Sequence, residues 1–210
     1  MHQMVKQVKG EFFFHINSNA NLSKHDLMRI GAVIEIGKES CPFFNIYETW
    51  QRTYPVRNTN TGQIRQVPAM EFLNGAREGA ITPDNLAQTA YETAQHFLML
   101  ARELLWETVR LNEFPDAPSW QRCIWLTRTL GQARDWIKVL KFQPSTYWIV
   151  KLAATGRALD TDGRLLASDS EALPAWYEKA RAYWRGEMTA DPWSEVIFDG
   201  EIKVDEIIGR

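Results

Sequence analysis

The segment EFFFHIN, Glu11 to Asn17, places one histidine after three consecutive phenylalanines. A run this apolar is typical of buried structure, so His15 is either a core side chain bonded to the backbone or a functional group. On these residues alone the core histidine is the favoured interpretation. Asn17 follows two residues later and would share a strand face with His15, so it is a second candidate, with a strand-end cap as its alternative role.

Few other motifs could carry chemistry. Cys123 and His15 could form a nucleophilic pair, but Cys123 lies in an apolar run, where inert burial is commoner. The four histidines lack metal-ligand spacing, and no P-loop, G-x-G-x-x-G, H-E-x-x-H or G-x-S-x-G motif occurs. Asp160 to Gly163, DTDG, begins like a calcium loop but lacks the later glutamate, which favours a turn. The sequence therefore predicts no metal site.

Composition limits the classes of protein that fit. Hydrophobic residues make up 45% and charged residues 24%, as in ordinary globular chains. The net charge of −2 excludes a broad basic surface for nucleic acid or membrane, although a local basic groove stays open. The polar N-terminus, the lack of a spanning apolar run and the absence of CxxC spacing indicate a cytoplasmic protein without a membrane partner. We expect one domain over residues 1–210.

Strands and helices alternate along the chain. Buried aromatic or β-branched runs predict strands at 12–16, 32–36, 122–127 and 147–152, and capping and periodicity predict helices at 24–29, 82–111, 130–140 and 174–185. In the longest helix, apolar or small residues recur at steps of three and four from Leu86 to Leu111. The C-terminal SEVIFDGEIKVDEI contains Asp199-Gly200, a hairpin or bulge signal. This pattern predicts an α+β fold with a mixed or antiparallel sheet.

Residues from Cys41 to about Val67 combine prolines, asparagines and a glycine with several aromatics. Such a stretch is typical of a packed functional loop. Its interleaved aromatic and basic side chains could bind unpaired bases, and packing of the aromatics onto the core is an equal alternative. The residues concerned are Trp50, Arg52, Tyr54, Arg57 and Arg65.

Four segments taken in order resemble ADP-ribosyltransferases: FFHIN, the run Leu27 to Gly37, RCIWLTRTLGQARDW and SEVIFDGEIKVDEI. LLWETVRLNEFPDAPSW, the YWRG run from Tyr183 and the terminal EVIFDGEIKV are similar to a bacterial and phage branch of that superfamily. The resemblance implies an α+β fold with a split mixed or antiparallel sheet, an inserted long helix and flanking helices. It also implies NAD as co-substrate.

The resemblance assigns roles to individual residues. His15 would hydrogen-bond the adenosine ribose of NAD, and Asn17 would contact the nicotinamide half. Glu195 would be the catalytic glutamate, which holds a ribose hydroxyl and stabilises the positive charge that develops as nicotinamide leaves. A solvated carboxylate at a sheet edge is the alternative for Glu195.

Three further candidates precede or occupy the strand at 122–127. Trp125 could stack on nicotinamide, in a strand where many members have tyrosine or a serine–threonine pair. Arg122 would either pair with the NAD pyrophosphate or be a surface charge. Ser119 is a candidate contact, although the branch has arginine directly after this serine and here Trp120 follows.

The implied function is transfer of ADP-ribose from NAD to a macromolecule, which could be RNA, DNA or protein. A toxin or anti-phage effector of this kind could have an antitoxin protein as partner. One alternative is a catalytically inactive binding module of the same fold. Another is an RNA-repair transferase that consumes NAD against a phosphate, for which the early segment offers only Lys24, His25 and Arg29 as basic residues.

Overall fold

The computed structural model describes residues 5–18, 28–49, 51–57, 61–80, 86–143, 146–166 and 171–208. The strands are β1 Lys6–Ser18, β2 Val33–Ile36, β3 Thr53–Arg57, β4 Ile64–Pro68, β5 Ile124–Leu126, β6 Tyr147–Asp162 and β7 Ser194–Ile208. The helices are α1 Pro42–Thr49, α2 Ala69–Arg77, α3 Leu86–Glu113, α4 Leu130–Leu140 and α5 Leu173–Trp184. All described strand pairs are antiparallel, which confirms the α+β prediction.

The chain divides into two compact units. One consists of Met1–Asn45 and Glu103–Arg210, and the other of Ile46–Arg102. The first unit contains the main sheet, α4, α5 and the C-terminal part of α3, and the second contains β3, β4 and α2. The expectation of one domain over the whole chain stays a prediction.

The main sheet has the order β1-β6-β7-β2, and β5 pairs with β7 on the edge opposite β6. β5 also reaches β1, because Phe14 and Thr127 exchange both backbone hydrogen bonds, at 2.9 and 2.8 Å. β5 therefore links the first and last strands. One face of this sheet forms the apolar core, which includes Phe13, Leu126, Val150, Phe198 and Ile202.

β7 is one continuous strand, so the predicted hairpin at Asp199-Gly200 is wrong. β6 pairs with it without interruption there, with Gly156 opposite Gly200 and Arg157 opposite Asp199. A Cβ atom on Gly200 would lie 2.5 Å from the carbonyl oxygen of Thr155. The glycine therefore permits close approach of two strands and does not mark a turn.

The predicted strands at 12–16, 32–36, 122–127 and 147–152 and the helices at 130–140 and 174–185 all correspond to observed elements. α4 begins with a capping box, in which Thr129 and Gln132 each bind the other's backbone amide. DTDG is not a turn: β6 extends through Asp162, which caps a short 3₁₀ helix. The predicted helix 24–29 and the start of the long helix at 82–84 fall largely outside the described residues.

In the second unit, the predicted loop from Cys41 to Val67 is wrong, because α1 and the β3–β4 hairpin lie there. Pro42 is the first residue of α1, whereas Pro55 lies within β3. Arg52 binds Glu92 at 2.5 Å, and the ring of Tyr54 lies 5.2 Å from that of Phe72. These two candidates for target recognition therefore stabilise their own unit. None of the described helices is long and apolar enough to span a bilayer.

Candidate active site

Glu195 is a buried carboxylate near the start of β7, with 6% of its surface exposed. The hydroxyl of Tyr183, in α5, donates a hydrogen bond of 2.5 Å to Glu195 Oε1. Burial and the neighbouring Glu195 raise the pKa of Tyr183 well above its usual value, so the phenol stays a neutral donor. The alternative of a solvated edge carboxylate does not match this position.

The chain around Glu195 is held from several sides. The carboxylate of Asp162 accepts from the amide and hydroxyl of Thr189 and from the amide of Trp193. The indole of Trp136 donates to the Ser194 carbonyl at 2.9 Å. These bonds fix the backbone that precedes Glu195 in the sequence. A preorganised site requires such support for its functional side chain.

Tyr183 is fixed in turn. Thr161, which lies opposite Glu195 in β6, donates its hydroxyl to the Tyr183 carbonyl at 3.0 Å. The ring of Trp120 meets that of Tyr183 edge to face at 5.2 Å and that of Trp125 at 5.6 Å. Glu195, Tyr183, Trp120 and Trp125 thus form one continuous polar and aromatic cluster.

A cavity of about 330 Å³ opens near the start of β7. Strand pairing puts the lining side chains of Asp160 and Val196 on the face of the apolar core, opposite the Glu195 carboxylate. Its lining consists of Lys6, Arg128, Gln132, Asp160, Met188, Ser194, Glu195 and Val196. Arg128 binds both oxygens of Asp160, at 2.6 and 2.9 Å, and Lys6 binds the same carboxylate at 3.1 Å. Burial opposes ionisation of Asp160, but these hydrogen bonds outweigh it and hold its pKa below the usual value. The cavity therefore carries charges of both signs.

His15 lies in β1 and is partly buried. Its Nδ1 is 2.9 Å from the carbonyl oxygen of Trp125. Because a carbonyl only accepts, Nδ1 carries the hydrogen, and Nε2 is an acceptor in the neutral ring. Strand pairing places the His15 side chain on the face of Phe13 and Val150, whereas Glu195 lies on the opposite face. The structure therefore does not bring the two predicted catalytic side chains together.

Asn17 lies on the His15 face of β1 and is only 2% exposed. Its Nδ2 has no hydrogen-bond partner among the residues that the structure describes. A buried amide nitrogen of this kind is uncommon in folded proteins. The strand-end cap that was the alternative for Asn17 does not account for it.

The candidates before β5 have different environments. The Ser119 hydroxyl donates to Glu107 at 3.0 Å, within a network that includes a two-pronged contact from Arg110 to the same carboxylate. Ser119 thus ties its loop to α3. Arg122 is exposed, as a surface charge would be. Trp125 is half-buried in β5 and belongs to the cluster around Glu195.

The cysteine alternative is not supported. Cys123 is buried and donates to the Trp120 carbonyl at 3.3 Å. Burial, reinforced by Cys41 and nearby glutamates including Glu195, raises the pKa of Cys123 well above its usual value. A thiolate nucleophile is therefore disfavoured.

Tyr183, Arg128 and Asp162 were not identified as site residues from the sequence. Tyr183 belongs to the YWRG run, but nothing in helical periodicity separates a core tyrosine from one that binds a carboxylate. Arg128 directly follows the predicted strand at 122–127, which is the available signal for it. Asp162 lay in the DTDG segment, whose spacing was interpreted only as a turn.

Two comparisons with known proteins bear on the chain. No curated protein sequence matches it. A family model described as "Protein of unknown function (DUF2441)" matches residues 13–210, which include every candidate site residue named above except Lys6. The chain belongs to this DUF2441 family.

Proposed function

We propose that this protein is an NAD-dependent ADP-ribosyltransferase that transfers ADP-ribose to a nucleic acid or a protein. The observation that carries the proposal is Glu195, a buried carboxylate near the start of the last strand that accepts a hydrogen bond from Tyr183. The antiparallel sheet and the long helix between its strands suit the fold that the sequence resemblance implies. In the reaction, nicotinamide leaves with the bonding electron pair, the acceptor atom bonds to the ribose carbon, and the acceptor proton is released.

Glu195 would supply the electrostatic part of catalysis. As the bond to nicotinamide breaks, positive charge develops on the ribose, and a carboxylate that accepts a ribose hydroxyl stabilises that charge. The Tyr183 hydroxyl holds Oε1, which fixes the orientation of the carboxylate before the substrate arrives. Burial of Glu195 strengthens its interaction with the developing charge.

The cavity is suited to one end of the dinucleotide. Its volume of about 330 Å³ is at the small end of the range of about 300–1,000 Å³ for ligand pockets. We expect the adenylate end of NAD to enter it, with Arg128 and Lys6 as the cations closest to the phosphates. Trp125, half-buried in the cluster around Glu195, is the candidate for stacking on nicotinamide.

His15 would act indirectly in this arrangement. Its ring donates to the Trp125 carbonyl and so fixes β5, the strand between β1 and β7. We therefore assign His15 as a positioning residue. Asn17, with its unpartnered buried amide nitrogen, would contact a ligand only if that end of β1 opens.

A non-catalytic binding module of the same fold is a second candidate. It is favoured by the separation of His15 and Glu195 onto opposite faces of the sheet. Such a module would bind NAD or an ADP-ribosylated partner without releasing nicotinamide. It would also explain why the ring of His15 is bound to the backbone.

Label transfer tests the proposal. Purified protein is incubated with NAD labelled in the adenylate, separately with total cell protein and with total nucleic acid. Glu195→Gln removes the charge, and Glu201→Gln is the matched control, because Glu201 is exposed on the same strand. Label should enter one fraction with the wild type and the control and be lost with Glu195→Gln. Equal labelling by all three proteins, or by none of them, would contradict the proposed transferase activity at Glu195.

The label also identifies the acceptor class. Transfer to nucleic acid or to protein would each fit an effector toxin or an anti-phage effector. Either acceptor would make an antitoxin protein the expected regulatory partner. Co-expression with a neighbouring gene product that restores growth of cells producing the wild type would identify that partner.

A further inference from the structure

α3 exposes its apolar side. We define the α3 stripe as Ala87, Ala90, Ala94, Phe97, Ala101, Leu104, Thr108 and Leu111, all of which are exposed. Phe97, Leu104 and Leu111 keep 51%, 48% and 58% of their surfaces accessible. The opposite side of the helix buries the polar residues Thr93, Glu103 and Glu107 together with the apolar Leu105, Trp106 and Val109. A surface helix normally exposes charged and polar residues and not an apolar stripe.

The α3 stripe follows a seven-residue repeat. Successive members are spaced alternately by three and four residues along the 28 residues of α3, which is the length of four heptads. Heptads sustained over this length are the signature of helix-to-helix packing. Thr108 adds no unsatisfied polar group, because its hydroxyl donates to the Leu104 carbonyl at 2.7 Å.

Charge is excluded from the exposed side of α3. Every exposed residue from Leu86 to Asn112 is uncharged, and Glu113 is the first exposed residue of α3 that carries charge. Depletion of charged residues marks the centre of protein interfaces, whereas solvent-facing helices are rich in them. The exposed side of α3 therefore has the composition of an interface.

We propose that the α3 stripe is the interface of a homodimer in which two copies of α3 pack antiparallel. The N-terminal part of the stripe consists of alanines and its large residues begin at Phe97, so an antiparallel pair sets the large side chains of one copy against small ones of the other. With the two-fold axis at Met99, Phe97 lies opposite Ala101 of the second copy, Leu104 opposite Ala94, and Leu111 opposite Ala87. Each large side chain then meets an alanine, as close packing requires. A parallel pair would place like against like.

The size of the contact fits a dimer that dissociates on dilution. A helix of 28 residues is about 40 Å long and about 10 Å wide, so the pair would bury on the order of 1,000 Å² in total. That is close to the minimum of about 1,000 Å² for a specific interface. The symmetric contact closes on itself, because each copy presents the same stripe.

Sedimentation of the full chain over a wide concentration range tests the proposal. The wild type should show twice the 24.3 kDa mass of the chain at high concentration and dissociate on dilution. Ala101→Glu places a charge in the centre of the stripe and should be monomeric throughout. Gln95→Glu adds the same charge to an exposed site of α3 outside the stripe and should leave the dimer intact. Circular dichroism checks that both variants stay folded.

Two results would overturn this dimer. One is a wild type that is monomeric at every concentration, which would assign the stripe to a different partner. The other is a dimer that Ala101→Glu leaves intact. Orientation is tested by mixing Ala94→Cys with Leu104→Cys under oxidation: disulfides should join the two variants to each other. Cross-links of each variant to itself would contradict the antiparallel arrangement.

Discussion

The His15 and Glu195 regions of the sheet differ in how their polar side chains are used. The His15 ring is bound to a backbone carbonyl of the neighbouring β5, on the face that forms the apolar core. The Glu195 carboxylate is buried on the other face and binds the side chain of Tyr183. The histidine therefore helps to order the fold, whereas Glu195 is a buried carboxylate for which we propose a catalytic role.

The largest expected effect is that of Glu195→Gln. Nicotinamide release from NAD should fall by on the order of 100- to 1,000-fold, the usual effect of removing one electrostatic stabiliser of a transition state. The urea midpoint should change little, because glutamine keeps an oxygen that accepts from Tyr183. Glu201→Gln, exposed on the same strand, should retain full activity. An active Glu195→Gln variant would show that Glu195 is no more a catalytic residue than His15.

Tyr183→Phe should have the next largest effect. Loss of the hydroxyl removes the hydrogen bond from Tyr183 to Glu195, so the rate should fall about 10- to 100-fold, equivalent to about 1.4–2.8 kcal/mol. Stability should fall by only about 1 kcal/mol, the net value of one hydrogen bond. Kinetics of nicotinamide release and urea unfolding measure the two quantities separately. A large stability loss without a rate effect would make Tyr183 a core residue only.

Asp162→Asn tests the support beneath Glu195 through its pH dependence. Hydrogen bonds from Thr189, Trp193 and Arg164 outweigh burial and hold the pKa of Asp162 below its usual value. Its ionised form therefore stabilises the fold above the unfolded-state pKa of about 3.9, and this stability is lost as the pH falls through the lower folded-state pKa.

Near neutral pH the variant should lose about 2 kcal/mol of unfolding free energy, within the range for hydrogen bonds to a charged group. Urea unfolding at a series of pH values should show the difference from wild type shrinking below about pH 4. A difference that is constant with pH would mean that the charge of Asp162 does not contribute.

The smallest effect should be that of His15→Gln. The variant loses the ring donor to the Trp125 carbonyl, so stability should fall by about 1 kcal/mol, and the rate of nicotinamide release should change by less than about tenfold. Steady-state kinetics and urea unfolding measure both. A rate loss as large as that of Glu195→Gln would place the imidazole in the catalytic site and contradict the positioning role of His15.

The order of the elements could be predicted from the sequence, because periodicity and capping are local. α4 is the clearest example, since Thr129, Gln132 and the apolar spacing together determine its bounds. The continuity of β7 could not be predicted. Asp199-Gly200 is a strong turn signal, and only the close approach of β6 to Gly200 shows why the strand continues.

The packing side of an element is less predictable than its type. The spacing in α3 identified a helix, yet an apolar stripe of it is exposed. Glu103 and Glu107 are buried instead, because both carboxylates find donors in the segment before β5. Ser119, one of the candidate site residues, shows the same difficulty of predicting packing partners from the sequence. Its hydroxyl binds Glu107, a partner far away in sequence that no local pattern reveals.

We propose that the chain cleaves NAD at a site built on Glu195. Incubation of the purified wild type with NAD, with nicotinamide release and NAD binding measured in the same sample, tests this claim most directly. We expect turnover, in which nicotinamide accumulates beyond one equivalent of protein. Binding of NAD without nicotinamide release would contradict it and support the binding module, and absence of both would remove NAD from the account of this protein.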